Sequence, residues 1–310
     1  MRTPERARKL PADPTRAWRV ISAQQQATAL ALDAFTDPVA PRAADNVRFV
    51  CISDTHDAPL DDLVVPDADV LIHAGDFSQT GRIDEVRRFA AWLGSLPHAR
   101  KLVIAGNHDL TFDEEAYPAL HKRFGHAEMY DTAACRAVLE DVPRVECAPR
   151  PPPIGPCARI ASCGAVRARR YLCDSGARVG GLNVWGSPWQ PEFCGWAFNL
   201  RRGAACRAKW RLIPDDTHVV VTHGPALGHG DLCDSGQRAG CLDLLDAMQT
   251  RVRPLVHVSG HIHEGYGVTT DGHTLYVNAS TCDLQYRPIH APIVFDLPAD
   301  PPRAGSSPRR

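Results

Sequence analysis

No apolar run in this sequence approaches the roughly 20 residues that a membrane-crossing helix needs, and its first residues include no hydrophobic segment of the signal-peptide kind. Both absences argue against a membrane-embedded or exported protein and point to a cytoplasmic one. The opening stretch Met1 to Pro11 is rich in Arg, as organelle transit peptides are, but Glu5 and Asp13 weaken that reading because such peptides avoid acids. Excess charge is missing too: 35 Lys and Arg stand against 36 Asp and Glu, for a net charge of -1. Without a basic surplus there is no overall field to hold nucleic acid or an acidic membrane surface. The 11 cysteines are odd in number and none falls in a C-x-x-C pair. That pattern excludes a regular disulfide framework and a Cys-ligated zinc site, and fits reduced, buried thiols.

What remains is an ordinary globular composition, 44% hydrophobic and 7% aromatic over 310 residues. Residues 1–45 are rich in Arg, Ala, Pro and Gln and read as a partly disordered N-terminal extension, with a helix expected between Thr15 and Phe35. From Val47 onward, short β-rich runs end in polar loops: Val47–Ile52, Asp69–Ile72 and Lys101–Ile104. Between the second and third, Ile83, Val86, Phe89, Ala90 and Leu93 recur at helical spacing and predict a helix over Ile83–Leu96. Further strands are expected at Leu182–Trp185, His218–Val221, Leu255–Val258, Leu275–Val277 and Ile293–Phe295, with a helix near Cys241–Arg251. This succession is of the α/β class, with one domain over 46–298. The six prolines of Val142–Cys157 make that stretch a surface insertion, and 299–310 reads as a disordered tail.

Acid, amide and imidazole groups gather at the ends of these strands. Asp54-Thr55-His56 follows the first, Gly75-Asp76 the second, Gly106-Asn107-His108-Asp109 the third, Thr222-His223-Gly224 a fourth and Gly260-His261-Ile262-His263 a fifth. Ligands in α/β sheets collect outside the carboxyl ends of strands, so these side chains can be aimed at one crevice. Taken alone, each piece has a plainer explanation. D-x-H makes surface turns, G-N-H-D can cap a helix, and two exposed histidines can sit beside a strand without binding anything. Five pieces in this order, each after an apolar run, point together to a metal site.

The order D-x-H, G-D, G-N-H-D, H-G, G-H-x-H resembles that of the calcineurin-like metallophosphoesterase superfamily. Arg48–His56, Ile104–His108, Trp196–Leu200, Thr222–Pro225, His263–Gly267, Asn278–Cys282 and Phe295–Pro298 are further similar to the metallophosphoesterase-domain-containing (MPPED) family. The resemblance implies a four-layer α/β/β/α sandwich with two mixed β-sheets and 3',5'-cyclic nucleotide phosphodiesterase activity on a small-molecule phosphodiester or nucleotide. It also implies two divalent cations, Mn2+ or Fe2+ first and Zn2+ next; oxygen and imidazole donors without thiolate suit all three. Asp54, His56, Asp76 and His263 would hold one cation, and Asp76, Asn107, His223 and His261 the other, with Asp76 bridging. Some family members carry Gly in place of His261; here the histidine is present, which implies a complete binuclear centre and higher activity.

Two such cations can share a hydroxide and neutralise phosphate oxygens. His108 is the expected catalytic residue, stabilising the transition state or protonating the leaving oxygen, with Asp109 either orienting it or capping the next helix. Trp189 and Trp196 are the rings to test for base stacking. His73, His98, His121, His126, His218, His229, His257, His273 and His290 lie outside any motif and are expected to be structural or exposed. A Ser/Thr protein phosphatase would carry Asp and Arg where Gln79 and Thr80 stand. A nuclease would need a basic groove, and a non-enzymatic scaffold predicts eroded ligands, of which there are none.

Overall fold

The structure is a computed structural model and describes residues 10–37, 41–140 and 169–301. The Pro-rich stretch 142–157 and most of the expected tail therefore lie outside the described residues. The N-terminal segment contributes helix α1 (Pro14–Ile21), strand β1 (Thr28–Ala29) and a short turn of helix α2 (Asp33–Thr36). Then come β2 (Asn46–Ile52), β3 (Val70–Ala74), α3 (Ile83–Ser95), β4 (Arg100–Ile104), α4 (Tyr117–Leu120), α5 (Thr132–Glu140) and β5 (Arg169–Tyr171). The second half holds β6 (Ser175–Val179), β7 (Leu182–Ser187), β8 (Gln190–Pro191), β9 (Asn199–Leu200), α6 (Ala204–Trp210), β10 (Val219–Thr222) and α7 (Leu242–Ala247). It closes with β11 (Val256–Ser259), β12 (Gly267–Thr270), β13 (Leu275–Asn278) and β14 (Ile293–Pro298).

These strands form two mixed sheets. One has five strands in the order β14-β2-β3-β4-β5, and the other has seven in the order β1-β12-β13-β11-β10-β7-β6. Alternation along each strand explains how they stack, because successive side chains point to opposite faces. In β2, Phe49 and Cys51 face the seven-stranded sheet and join Val184, Val221, Val258 and Val277 in an inter-sheet core. Val50 and Ile52 face outward, where Val86, Phe89 and Leu93 of α3 and Leu139 of α5 cover them. On the far side, Val220 and Tyr276 are covered by Trp210 of α6, Leu244 and Leu245 of α7, and Ala17 of α1. The result is the expected α/β/β/α arrangement of four layers.

The expected helix over Thr15–Phe35 is instead three separate pieces. Pro14 starts α1 with Asp13 capping the amide of Arg16, and α1 stops at Ile21 before a tight turn at Ser22–Gln24. Beyond it the chain runs extended, and Thr28 and Ala29 pair antiparallel with Thr270 and Thr269 at the edge of the larger sheet. The helix expected near Cys241–Arg251 starts on register as α7, then widens to a π-turn over Met248–Val252. Among the described residues, no helix is long and apolar enough to cross a membrane.

Candidate metal centre

β2, β3 and β4 run parallel in one sheet, and β10 and β11 run parallel in the other. Their carboxyl ends meet where the sheets join, through a bridge between Ser53 and Ser280. Every residue expected to bind metal follows one of these ends. Asp54, His56, Asp76, Asn107, His223 and His263 are buried, and His261 is partly exposed.

The donor atoms converge in two groups. In the first, His56 Nε2 lies 3.1 Å from His263 Nε2, and Asp54 Oδ1 lies 3.5 Å from His263 Nε2 and 3.9 Å from His56 Nε2. In the second, His223 Nε2 lies 3.2 Å from Asp76 Oδ2 and 3.0 Å from Asn107 Oδ1, and His261 offers a ring nitrogen within 4.8 Å of the donors of Asp76 and His223. Asp76 Oδ2 is also 3.8 Å from His56 Nε2, so one carboxylate lies between the groups.

Hydrogen bonds behind the donors fix which atom each presents. The Nδ1–H of His223 donates to the carbonyl of Ala74, and that of His263 to the carbonyl of Asp283, which leaves each Nε2 as a lone pair facing inward. Asp54 accepts from the amide of His261 and from the hydroxyl of Ser280. Burial alone would disfavour charge at His223 and His263, but Asp76 and Asp54 outweigh it and raise both imidazoles to about 9. Burial pushes His56 and His261 down to about 3. Two carboxylates and inward-facing imidazole nitrogens thus converge without matching donors, which is the donor chemistry of hard-to-borderline divalent cations.

His108 sits at the rim. Its amide donates to Asp76 Oδ1, its Nδ1 meets the carbonyl of Gln79 at 2.9 Å, and its ring is stacked on Trp196 at 4.0 Å and edge-on to His56 at 4.5 Å. A ring nitrogen of His108 comes within 4.8 Å of donor atoms of His56 and Asp76. Asp109 neither orients His108 nor caps a helix with its side chain. Its carboxylate accepts from the amides of Asp76, Ser78 and Gly106 and from the Ser78 hydroxyl, tying the second strand-end loop to the third. Trp189 is committed to packing: its Nε1 donates to Asp174, the Lys209 ammonium sits 4.2 Å over its ring and Phe198 meets it edge-on. His73, His98, His126, His218, His229 and His257 are structural, each hydrogen-bonded to a neighbouring side chain or backbone group. Ser280 and Asp283 support the donors but had no assigned role in the sequence, although Ser280 lies in the Asn278–Cys282 motif.

An α/β/β/α sandwich with a cluster of carboxylate, amide and imidazole donors where its sheets meet defines a metallophosphoesterase. The profile of the calcineurin-like phosphoesterase family matches residues 47–265. Metallophosphoesterase domain-containing protein 1 of Homo sapiens is 46% identical over 266 residues, covering 84% of this chain and 75% of that protein, and the Mus musculus protein matches equally. A Caenorhabditis elegans UPF0046 protein is 38% identical over 93% of this chain and 69% of its own length. The chain belongs to the metallophosphoesterase-domain-containing family of calcineurin-like phosphoesterases.

Proposed function

We propose that this protein is a binuclear metal-dependent phosphodiesterase that hydrolyses 3',5'-cyclic nucleotides, with Asp54, His56, Asp76 and His263 holding one cation and Asp76, Asn107, His223 and His261 the other. The observation that carries this reading is the place of Asp76 Oδ2, 3.8 Å from His56 Nε2 and 3.2 Å from His223 Nε2, as a bridging ligand requires. Mn2+ and Fe2+ suit the donors best, and Zn2+ is compatible. When bound, the cations supply charge neutralisation for phosphate oxygens and lower the pKa of the attacking water.

The chain's own residues do the rest. Because the Nδ1–H of His108 is anchored on the carbonyl of Gln79, the ring presents Nε2 to the mouth of the site. In its imidazolium form it donates a proton from Nε2 to the leaving alkoxide, while the Gln79 carbonyl stabilises the charge on the far side of the ring. Trp196 and His56 hold that ring between them, so its direction is set before substrate arrives. All eight described cysteines are free thiols, which supports a reducing, cytoplasmic setting.

The test is turnover of bis-p-nitrophenyl phosphate, cyclic AMP and cyclic GMP by the purified protein with Mn2+, Fe2+ or Zn2+. Hydrolysis is expected with at least one cation and is lost in His223→Ala. Absence of turnover with all three cations removes the enzymatic reading and leaves a metal-binding interaction protein.

A further inference from the structure

Two aromatic rings flank the mouth of the centre, one against each donor group. Tyr286 lies edge-on to His56 with ring centroids 4.6 Å apart, and it is 5.9 Å from His263 and 6.1 Å from His108. Phe193 lies edge-on to His261 at 5.2 Å. Tyr286 therefore borders the first group and Phe193 the second. Both remain open to solvent, at 47% and 45% of their surface.

Neither ring is placed by packing alone, because both are set by locked backbone. Tyr286 has φ of 59°, a left-handed conformation that a bulky residue keeps only when its surroundings impose it. The imposing group is Asp283, whose carboxylate accepts from the amides of Gln285 and Arg287. Its carbonyl takes both the Tyr286 amide and the Nδ1–H of His263, each at 2.9 Å. One carbonyl thus sets the ring of Tyr286 and the tautomer of the neighbouring ligand. Phe193 is clamped by Asn199, whose Oδ1 accepts the Phe193 amide and whose Nδ2 donates to the Phe193 carbonyl. The next two residues, Cys194 and Gly195, are left-handed at φ 47° and 63°, and their carbonyls are held by the Arg123 guanidinium. Asn199 belongs to the Trp196–Leu200 motif, for which the metal centre itself gives no role.

We propose that Tyr286 and Phe193 are specificity-determining residues that receive the two ester substituents of a phosphodiester, and that the preferred substrate carries a planar aromatic group, a nucleobase or an aryl ring, on one of them. The proposal rests on the phosphodiesterase reading above. A phosphate seated across both groups sends its substituents outward to the two sides, where each meets a ring; a monoester leaves one ring unused. Stacking on an exposed, pre-set aromatic gains affinity at small entropic cost, since the ring is already ordered. The Tyr286 hydroxyl, which has no hydrogen-bond partner among the described residues, adds a donor for a phosphoryl or sugar oxygen.

Wild type, Tyr286→Phe, Tyr286→Ala, Phe193→Leu and Phe193→Ala are compared, with Mn2+, on bis-p-nitrophenyl phosphate, methyl p-nitrophenyl phosphate and p-nitrophenyl phosphate. In parallel, saturation-transfer NMR follows adenosine 5'-monophosphate binding to the same proteins. Each alanine variant is expected to raise KM for the bis-aryl diester about tenfold, the loss of one stacking contact, and kcat less than threefold. The methyl diester should be less affected by one of the two variants, Tyr286→Phe should raise KM about threefold, and adenine saturation should fall in both alanine variants. A fall in kcat that is equal on all three substrates, with KM unchanged, shows that the rings only brace the metal ligands and overturns the proposal. Should wild type hydrolyse none of the substrates, the phosphodiesterase reading fails by itself. The NMR arm then decides for the rings: adenine contact that depends on both supports them as a base-binding pair, and contact indifferent to both overturns it.

Discussion

Gly260 illustrates how little freedom single positions around the centre have. A methyl group there would come within 2.0 Å of Asp54 Oδ2 and 2.1 Å of Ser53 Oγ, so any side chain must displace the carboxylate. Gly260→Ala is expected to lower turnover of bis-p-nitrophenyl phosphate by about 100-fold, the usual cost of misplacing a reacting group by an ångström. Elemental analysis should show less metal per chain, with the circular dichroism spectrum kept. Wild-type metal content in this variant would remove Asp54 from the centre. Strain is concentrated at the same place: Asp54, His56, Asp76 and His261 have φ of 53°, 46°, 55° and 67°, a region that non-glycine residues rarely adopt. The sequence displayed these side chains as motifs after strands, because residue type carries the chemistry. It did not display the supports. Nothing local marks Asp109, Ser280 or Asp283, whose partners are 31 to 33, 226 and 20 residues away in the chain.

Elements buried on both faces were the ones readable in advance. β2, β3, β4, β10 and β11 read as continuous apolar runs, since helices cover one face of each sheet and the other sheet covers the second. The edge and near-edge strands escaped because their burial is broken, with Ser175–Val179 alternating and Gly267–Thr270 mostly half-buried. The single helix expected over Thr15–Phe35 failed for a related reason: its second half has no apolar period, and pairing with β12 outweighed helical propensity. What secures this segment is α1. Its Trp18 packs on Gly228 and carries the Arg238 guanidinium 4.5 Å over its ring, while Thr15 Oγ accepts the Arg238 amide. Gly228 has φ of 93°, and a methyl group there would lie 2.1 Å from the Trp18 ring, so both backbone and space require glycine. Gly228→Ala should cost about 2 kcal/mol or more and lower Tm by roughly 5 °C in thermal unfolding. An unchanged Tm would mean that α1 does not dock there in solution.

On the scale of the whole molecule, two features govern how stability responds to conditions. The first is a pair of histidines in the seven-stranded half. His229 stacks on Tyr276 at 3.7 Å and bonds Thr269, and His257 bonds Thr222. Burial pushes them down to about 4 and about 3, whereas the unfolded chain takes up a proton near 6.5. The unfolded state therefore binds more protons below pH 6.5, so stability is full above that value and falls as pH drops toward 4, by about 3 kcal/mol at His229. Urea midpoints at pH 7 and pH 5 should differ less in His229→Phe than in wild type, and an identical pH slope would exclude His229 as a source. The second feature is the seam. Asp54, Asp76 and Asn107 extend from strands of one sheet, and His223, His261 and His263 from strands of the other. Cations held by both sets bind the folded chain and not the separated sheets, so they must stabilise the fold by linkage. At 100 times Kd that amounts to about 2.7 kcal/mol, or roughly 5 to 10 °C in Tm. Scanning calorimetry of metal-stripped protein with and without Mn2+ measures it directly. The gain should appear in wild type, vanish with chelator and be absent from Asp76→Asn, because Asp76 alone touches both groups; an equal gain in Asp76→Asn would place the stabilising cation elsewhere.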